Sequence, residues 1–122
     1  MKGMWLGRRA DRAIDRALDL APESPRAHLI KGISSLNKPG MFGGSAEKAI
    51  AELTRAIELA QAGGTASGWG EADAYIWRGL ARLESDDDNG AEDFANALSV
   101  APGHVWARRL LDQHAGDTAA DG

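Results

Sequence analysis

The stretch YIWRGLARLESDDDNGAEDFANALSVAP, from Tyr75 to Pro102, contains two helical patterns separated by a polar turn. In its second half Gly90, Phe94 and Ala97 recur at helical spacing on one face, the pattern of a half-buried helix. Between the halves, SDDDNG (85–90) is rich in residues that favour turns and helix N-caps. The stretch therefore predicts two antiparallel helices joined by a short turn.

The second of these helices has two earlier counterparts in the chain. The helix ending in ALSVAP (97–102) is matched by one ending in AIELAQ (56–61) and one ending in ALDLAP (17–22). The successive offsets are 39 and 41 residues, and proline ends two of the three helices. The residues in step are Ala10, Ile14, Ala17 and Leu18, then Ala49, Leu53, Ala56 and Ile57, then Gly90, Phe94, Ala97 and Leu98.

A second repeat lies between these helices. AHLIKGISSL (27–36) and AYIWRGLARL (74–83) share an alanine, an apolar pair, a basic residue, a glycine and a final leucine. Glycine inside a helix costs about 1 kcal/mol relative to alanine, so Gly32 and Gly79 predict close approach of a neighbouring helix. A period near 40 residues indicates a solenoid of helix pairs.

These motifs resemble the tetratricopeptide repeat (TPR) family, in the variant with Arg-Gly in the first helix, over roughly residues 10–107. The resemblance implies an all-α fold, an α-solenoid of antiparallel helix pairs with about six helices. We expect one helical domain over residues 1–115 and a disordered tail over 116–122. Its parts would be the second helix of an incomplete repeat (8–21), two full repeats (25–62 and 70–101) and a capping helix (104–115), with Trp106, Leu110 and Leu111 facing inward.

The resemblance also implies a function, a non-enzymatic scaffold or adaptor that binds a peptide or a partner helix in a concave groove. The family's mode of gripping a C-terminal carboxylate is absent, because Leu29 and Ile33 stand where it needs Lys and Asn. An apolar groove suits an amphipathic helix or an extended apolar segment. Alternatively these side chains are simply core, covered by Met41 and Phe42 or by Trp69. The groove positions carried over are Arg26, Leu29, Ile33, Leu36, Asn37, Asp73, Ile76, Leu80, Leu83 and Glu84.

A structural building block that associates with itself, or a piece of a longer solenoid, is the alternative function. Only MKGMWLG precedes the first predicted helix, so its apolar face lacks a neighbour. Unpartnered apolar faces of this kind associate. We expect a homo-oligomer formed through Trp5, Leu6, Ile14 and Leu18.

Two loops invite a ligand-binding interpretation. NKPGMFGGS (37–45) could offer amides to an anion, but a P-loop needs a preceding strand and a lysine before the serine. We predict a turn in which Ser45 caps the next helix. SDDDNGAEDFAN (85–96) has Ser85 and Asn96 where a calcium loop requires acids, so we predict an interhelix turn with Asp88 or Asn89 as the cap.

Composition sets further bounds on function. The net charge is −4, divided into +3 over residues 1–31 and −7 over the remainder, which gives no reason to expect nucleic acid as a partner. There is no cysteine, and His28, His104 and His114 lie far apart in the sequence. We expect no catalytic, metal or cofactor site. No signal peptide or membrane-spanning segment is visible, so the cytoplasm is the default expectation and membrane insertion is not expected.

Overall fold

The computed structural model describes residues 12–37, 45–63, 70–85 and 87–121, of which 115–121 as backbone alone. These ranges form helices joined by turns and contain no strand, so the all-α prediction is confirmed for them. The helices are α1 (residues 12–20 of the described part), α2 (Pro25–Asn37), α3 (Ala46–Gly63), α4 (Glu71–Glu84), α5 (Gly90–Val100) and α6 (Val105–Asp121).

Helices that follow one another in the chain pack against one another. Contacts join α2 to α3, α3 to α4, α4 to α5 and α5 to α6, with a smaller contact between α2 and α4. Helix α1 is linked to α2 by an ion pair in which Lys31 Nζ lies 2.6 Å from Asp15 Oδ1. A single core runs through this arrangement, in which Leu53, Ile76 and Phe94 are the largest apolar side chains removed from solvent.

The turn before α2 and the turn before α6 are built alike. In the first, Ser24 N–H donates to the Ala21 carbonyl, and the Ser24 hydroxyl oxygen accepts from Ala27 N–H. In the second, His104 N–H donates to the Ala101 carbonyl, while Ala107 N–H donates to His104 Nδ1. In both sequences Ala-Pro stops the preceding helix, since the residue before proline avoids the helical region. AIELAQ lacks this proline, and α3 accordingly runs on to Gly63.

Three glycines mark the closest helix contacts. A Cβ at Gly32 would lie 2.6 Å from Leu53 Cγ, and one at Gly79 would lie 2.6 Å from Phe94 Cε1. A Cβ at Gly90 would lie 2.7 Å from the Gly79 carbonyl oxygen. The prediction that Gly32 and Gly79 permit close packing is therefore confirmed.

Two helix ends differ from the sequence prediction. Helix α6 continues to Asp121 instead of ending near 115, since no proline follows Pro102 and the alanines of GDTAAD favour a helix. Asn89 occupies the N-cap position of α5 as predicted, but its side chain makes no capping bond. Instead, Asp87 Oδ1 accepts from Asn89 N–H at 2.9 Å and orders the turn.

Candidate interaction surface

Two of the predicted groove residues lie in the core. Leu29 is 7% exposed and Ile76 is 0% exposed, and both belong to the central apolar cluster. Leu29 is covered where α4 begins, because a Cβ at Gly70 would lie 3.2 Å from Leu29 Cδ2. At these two positions the structure agrees with the alternative that the side chains are core.

The other predicted groove positions remain accessible to different degrees. Ile33, Leu36, Leu80 and Leu83 are half-buried and pack against the core. At the ends of the two helices, Arg26, Asn37 and Glu84 are exposed, whereas Asp73 is half-buried and contacts His104.

An apolar stripe with a different membership emerges from the exposure of α2 and α4. On α2, Arg26, Ile30, Ile33 and Asn37 follow at intervals of four, three and four residues and therefore share one helix face. Ile30 is 46% exposed. The positions on α4 that align with Ile30 and Ile33 are Trp77 and Leu80. On α6, matching Ala107 to Ala27 aligns Trp106 with Arg26, Leu110 with Ile30 and the polar Gln113 with Ile33. We call this set the apolar stripe, and it comprises Ile30, Ile33, Trp77, Leu80, Trp106 and Leu110.

The stripe is continuous between α4 and α6 through two tryptophans. The rings of Trp77 and Trp106 pack edge to face with centroids 5.5 Å apart. Trp106 is 37% exposed, so it does not face inward as the sequence analysis expected. Leu110 and Leu111 do pack against the core. An exposed tryptophan packed on a half-buried one, beside half-buried leucines, is a composition typical of protein-binding surfaces.

The family pattern missed Ile30, Trp77 and Trp106 and placed Leu29 and Ile76 on the surface instead. The spacing alone does not separate these positions, because Leu29 and Ile30 stand three and four residues after Arg26, and both intervals keep a side chain near the same helix face. In the structure Leu29 and Ile76 are turned toward the neighbouring helices.

A buried ionic cluster lies on the opposite side of α4. Asp93 is fully buried on α5, and its Oδ1 lies 2.7 Å from Arg78 Nη2 while its Oδ2 lies 2.9 Å from Arg82 Nη1. Arg78 also donates to the Thr54 hydroxyl oxygen on α3 at 3.3 Å. A carboxylate bound by two guanidinium groups is satisfied as an acceptor, so the cluster ties three helices together.

Tyr75 lies beside this cluster. Its hydroxyl accepts a hydrogen bond from Gln61 Nε2 at 3.1 Å, and the Arg78 guanidinium lies 5.4 Å from its ring centroid. Burial, followed by the negative charge of Glu71, raises the pKa of Tyr75 above its ordinary value of about 10.

Where they are described, the two loops considered as ligand sites contain a helix cap in the first and an ordered turn in the second. Ser45 Oγ accepts from Lys48 N–H at 2.9 Å, which confirms Ser45 as the cap of α3. Gly43 and Gly44 lie outside the described residues, as do Met41, Phe42 and Trp69. In the loop at 85–96, the carboxylates of Asp87 and Asp93 are engaged as described above. Within the described part of the chain, no three His, Cys, Asp or Glu side chains are grouped as a metal would require.

The first helix presents an apolar face that its counterparts bury. Ala56 and Ala97 are both 0% exposed, whereas the matching Ala17 is exposed. Ile14 and Leu18 are half-buried, and Leu20 is 80% exposed. Trp5 and Leu6, which we expected beside this face, lie outside the described residues.

Comparison with known proteins adds no assignment to this geometry. No family model matches the chain, and neither the curated proteins nor the solved structures contain a match. Among the helices of the described ranges, none combines the length and the apolar character needed to cross a lipid bilayer.

Proposed function

We propose that the protein is a non-enzymatic interaction scaffold, a TPR-like α-solenoid that binds an apolar peptide segment or an amphipathic partner helix. The observation that carries this proposal is the apolar stripe, which has members on α2, α4 and α6. Within it Ile30 is 46% exposed and Trp106 is 37% exposed. On α2 and α4 its two ends are polar, with Arg26 and Asp73 at one and Asn37 and Glu84 at the other. An apolar centre with a polar rim suits the apolar face of a partner helix.

Selection from a displayed peptide library with the whole chain as bait, followed by affinity measurement, tests this proposal. Trp106→Ala should weaken binding of the selected peptides by about 2 kcal/mol or more, because a packed tryptophan is a frequent hot spot. Val105→Ala is the matched control, since Val105 is 69% exposed and lies outside the stripe. Equal loss in both variants, or in neither, would argue against the stripe as the binding surface.

Self-association through α1 is a second candidate, favoured by the exposure of Ala17 against the complete burial of Ala56 and Ala97. A second copy that covers this face would bury Ile14 and Leu18 with it. Sedimentation equilibrium of the wild type and of the double variant Ile14→Glu, Leu18→Glu tests this. We expect an oligomer that shifts toward monomer in the variant, and a monomeric wild type at high micromolar concentration would exclude the candidate.

A further inference from the structure

The imidazole of His28 joins two helices and a turn. Its Nδ1 lies 2.7 Å from Glu52 Oε2 on α3. Its Nε2 lies 2.7 Å from the Pro22 carbonyl oxygen, in the turn between α1 and α2. The His28 side chain is only 14% exposed, whereas Pro22 lies in an exposed turn.

Both partners of His28 are hydrogen-bond acceptors. A carbonyl oxygen cannot donate, and neither can an ionised carboxylate, whereas a neutral imidazole has a single N–H. Both 2.7 Å contacts are satisfied only when the His28–Glu52 pair carries one proton more than a neutral ring and a carboxylate. An imidazolium that donates from both nitrogens meets this requirement.

We infer that His28 is a proton-dependent clasp that holds the α1–α2 turn against the α2–α3 hairpin. When the pair loses its proton, one ring nitrogen must face an acceptor with a lone pair. The bond to Glu52 is kept, because a hydrogen bond to a carboxylate is stronger than one to a carbonyl. The contact with Pro22 is therefore the one that opens as pH rises, and it closes again as pH falls.

Among the described residues, Glu52 is the charged residue that contacts the His28 ring. Lys31, one turn further along α2, is held by Asp15 of α1. The contact between Lys31 and Asp15 does not involve His28, so α1 stays tethered while the turn at Pro22 loosens. The remaining charged residues on the packed elements are Arg12, Arg16 and Asp19 on α1, Glu23 in the turn, Arg26 on α2, and Glu47, Lys48, Arg55 and Glu58 on α3, where Arg55 Nη1 lies 3.7 Å from Glu58 Oε2.

His104 provides a matched comparison within the same chain. Its Nε2 lies 3.2 Å from Asp73 Oδ1, and its Nδ1 accepts from Ala107 N–H. One donor and one acceptor satisfy these contacts, so a neutral ring with its proton on Nε2 suffices. Loss of a proton from His104 therefore breaks neither contact.

An NMR titration of the whole chain between about pH 5 and 8, the range in which histidine changes charge, tests the clasp. We expect the amides of Glu23 and Ser24 to shift with the midpoint of the His28 ring and not with the rings of His104 or His114. Above that midpoint, hydrogen exchange over residues 21–24 should rise about tenfold relative to α4, which serves as the reference for base catalysis. Tenfold corresponds to about 1.4 kcal/mol, the size of one hydrogen bond to a charged group.

Two variants separate the clasp from a general effect of pH. His28→Gln should abolish the pH dependence over residues 21–24, whereas His104→Gln should leave it intact. If His28→Gln does not fold, the wild-type titration still decides, because NMR follows the three histidine rings as separate resonances. The inference is wrong if the amide shifts of Glu23 and Ser24 do not change with the His28 midpoint, or if they change with the His104 midpoint.

Discussion

At the scale of single residues, Gly79, which lies on α4 where this helix meets α5, has the clearest consequence for stability. A Cβ at Gly79 would lie 2.8 Å from the Gly90 carbonyl oxygen as well as 2.6 Å from Phe94 Cε1, so backbone and side chain would both have to move. We expect Gly79→Leu to lower the free energy of unfolding by about 1–3 kcal/mol, as overpacked cores do.

Urea denaturation measures this change, and Gly103→Ala is its control. No atom lies within 4 Å of a Cβ built at Gly103, so the control should stay within about 0.5 kcal/mol of the wild type. If Gly79→Leu is as stable as the control, the close approach of α4 and α5 is not required for the fold.

Tyr75 gives a second residue-scale prediction, which can be read by absorbance because the chain has one tyrosine. Burial and the charge of Glu71 raise the pKa of its phenol in the folded state. Since the folded protein then holds this proton more tightly, the contribution to stability is present below about pH 10 and is lost as pH rises through the folded pKa. We expect the phenolate absorbance to rise above pH 10 in the folded chain and near pH 10 in urea, and coincident curves would contradict the burial.

At the scale of elements, helix positions and their packing glycines follow from the sequence, whereas the rotation of each helix does not. The sequence identifies Gly32 and Gly79 as packing positions, because a glycine inside a helix lowers helix stability and is expected there where a neighbouring helix comes close. On α2 the predicted surface position Leu29 is wrong, because the structure buries Leu29 and exposes Ile30, whereas Arg26, Ile33 and Asn37 remain accessible. Leu29 and Ile30 are adjacent and equally apolar, and only the position of α4 over Leu29 decides which of them is buried.

The start of α3 supports an element-scale prediction about capping. Ser45 Oγ accepts from Lys48 N–H at 2.9 Å and satisfies one of the amides that a helix N-terminus leaves unpaired. Ser45→Ala should lower the free energy of unfolding by about 0.5–2 kcal/mol. Ser45→Asp should retain most of the stabilisation that the cap provides, because aspartate is also a good N-cap residue. Ser99→Ala is the control in a thermal melt, because Ser99 is exposed and bonds only the Ala95 carbonyl within its own helix. If Ser45→Ala is as stable as the control, the Ser45 cap does not stabilise α3.

At the scale of the whole molecule, a basic side chain contacts the preceding helix in both hairpins, through an ion pair in the first and a hydrogen bond to a neutral hydroxyl in the second. Lys31 on α2 contacts Asp15 on the preceding helix, and the aligned Arg78 on α4 contacts Thr54 on its preceding helix. The alignment could be read from the sequence, because AHLIKG and AYIWRG match residue for residue around the basic position. The convergence of Arg78 and Arg82 on Asp93 could not, since it depends on the distance between α4 and α5.

Packing between sequence neighbours predicts how the molecule unfolds. Helix α4 packs against α3 and α5 and also contacts α2 and, through Trp77 and Trp106, α6, whereas α6 packs mainly against α5. In chains whose units contact only their neighbours, stability is a sum of local terms, so the ends open before the middle. We therefore expect native-state hydrogen exchange to be slowest in α4 and faster in α6, with Gly79→Leu accelerating exchange in α4 and α5 more than in α2. Uniform protection of all these helices, accelerated equally by the substitution, would instead mean that the chain unfolds as one cooperative unit.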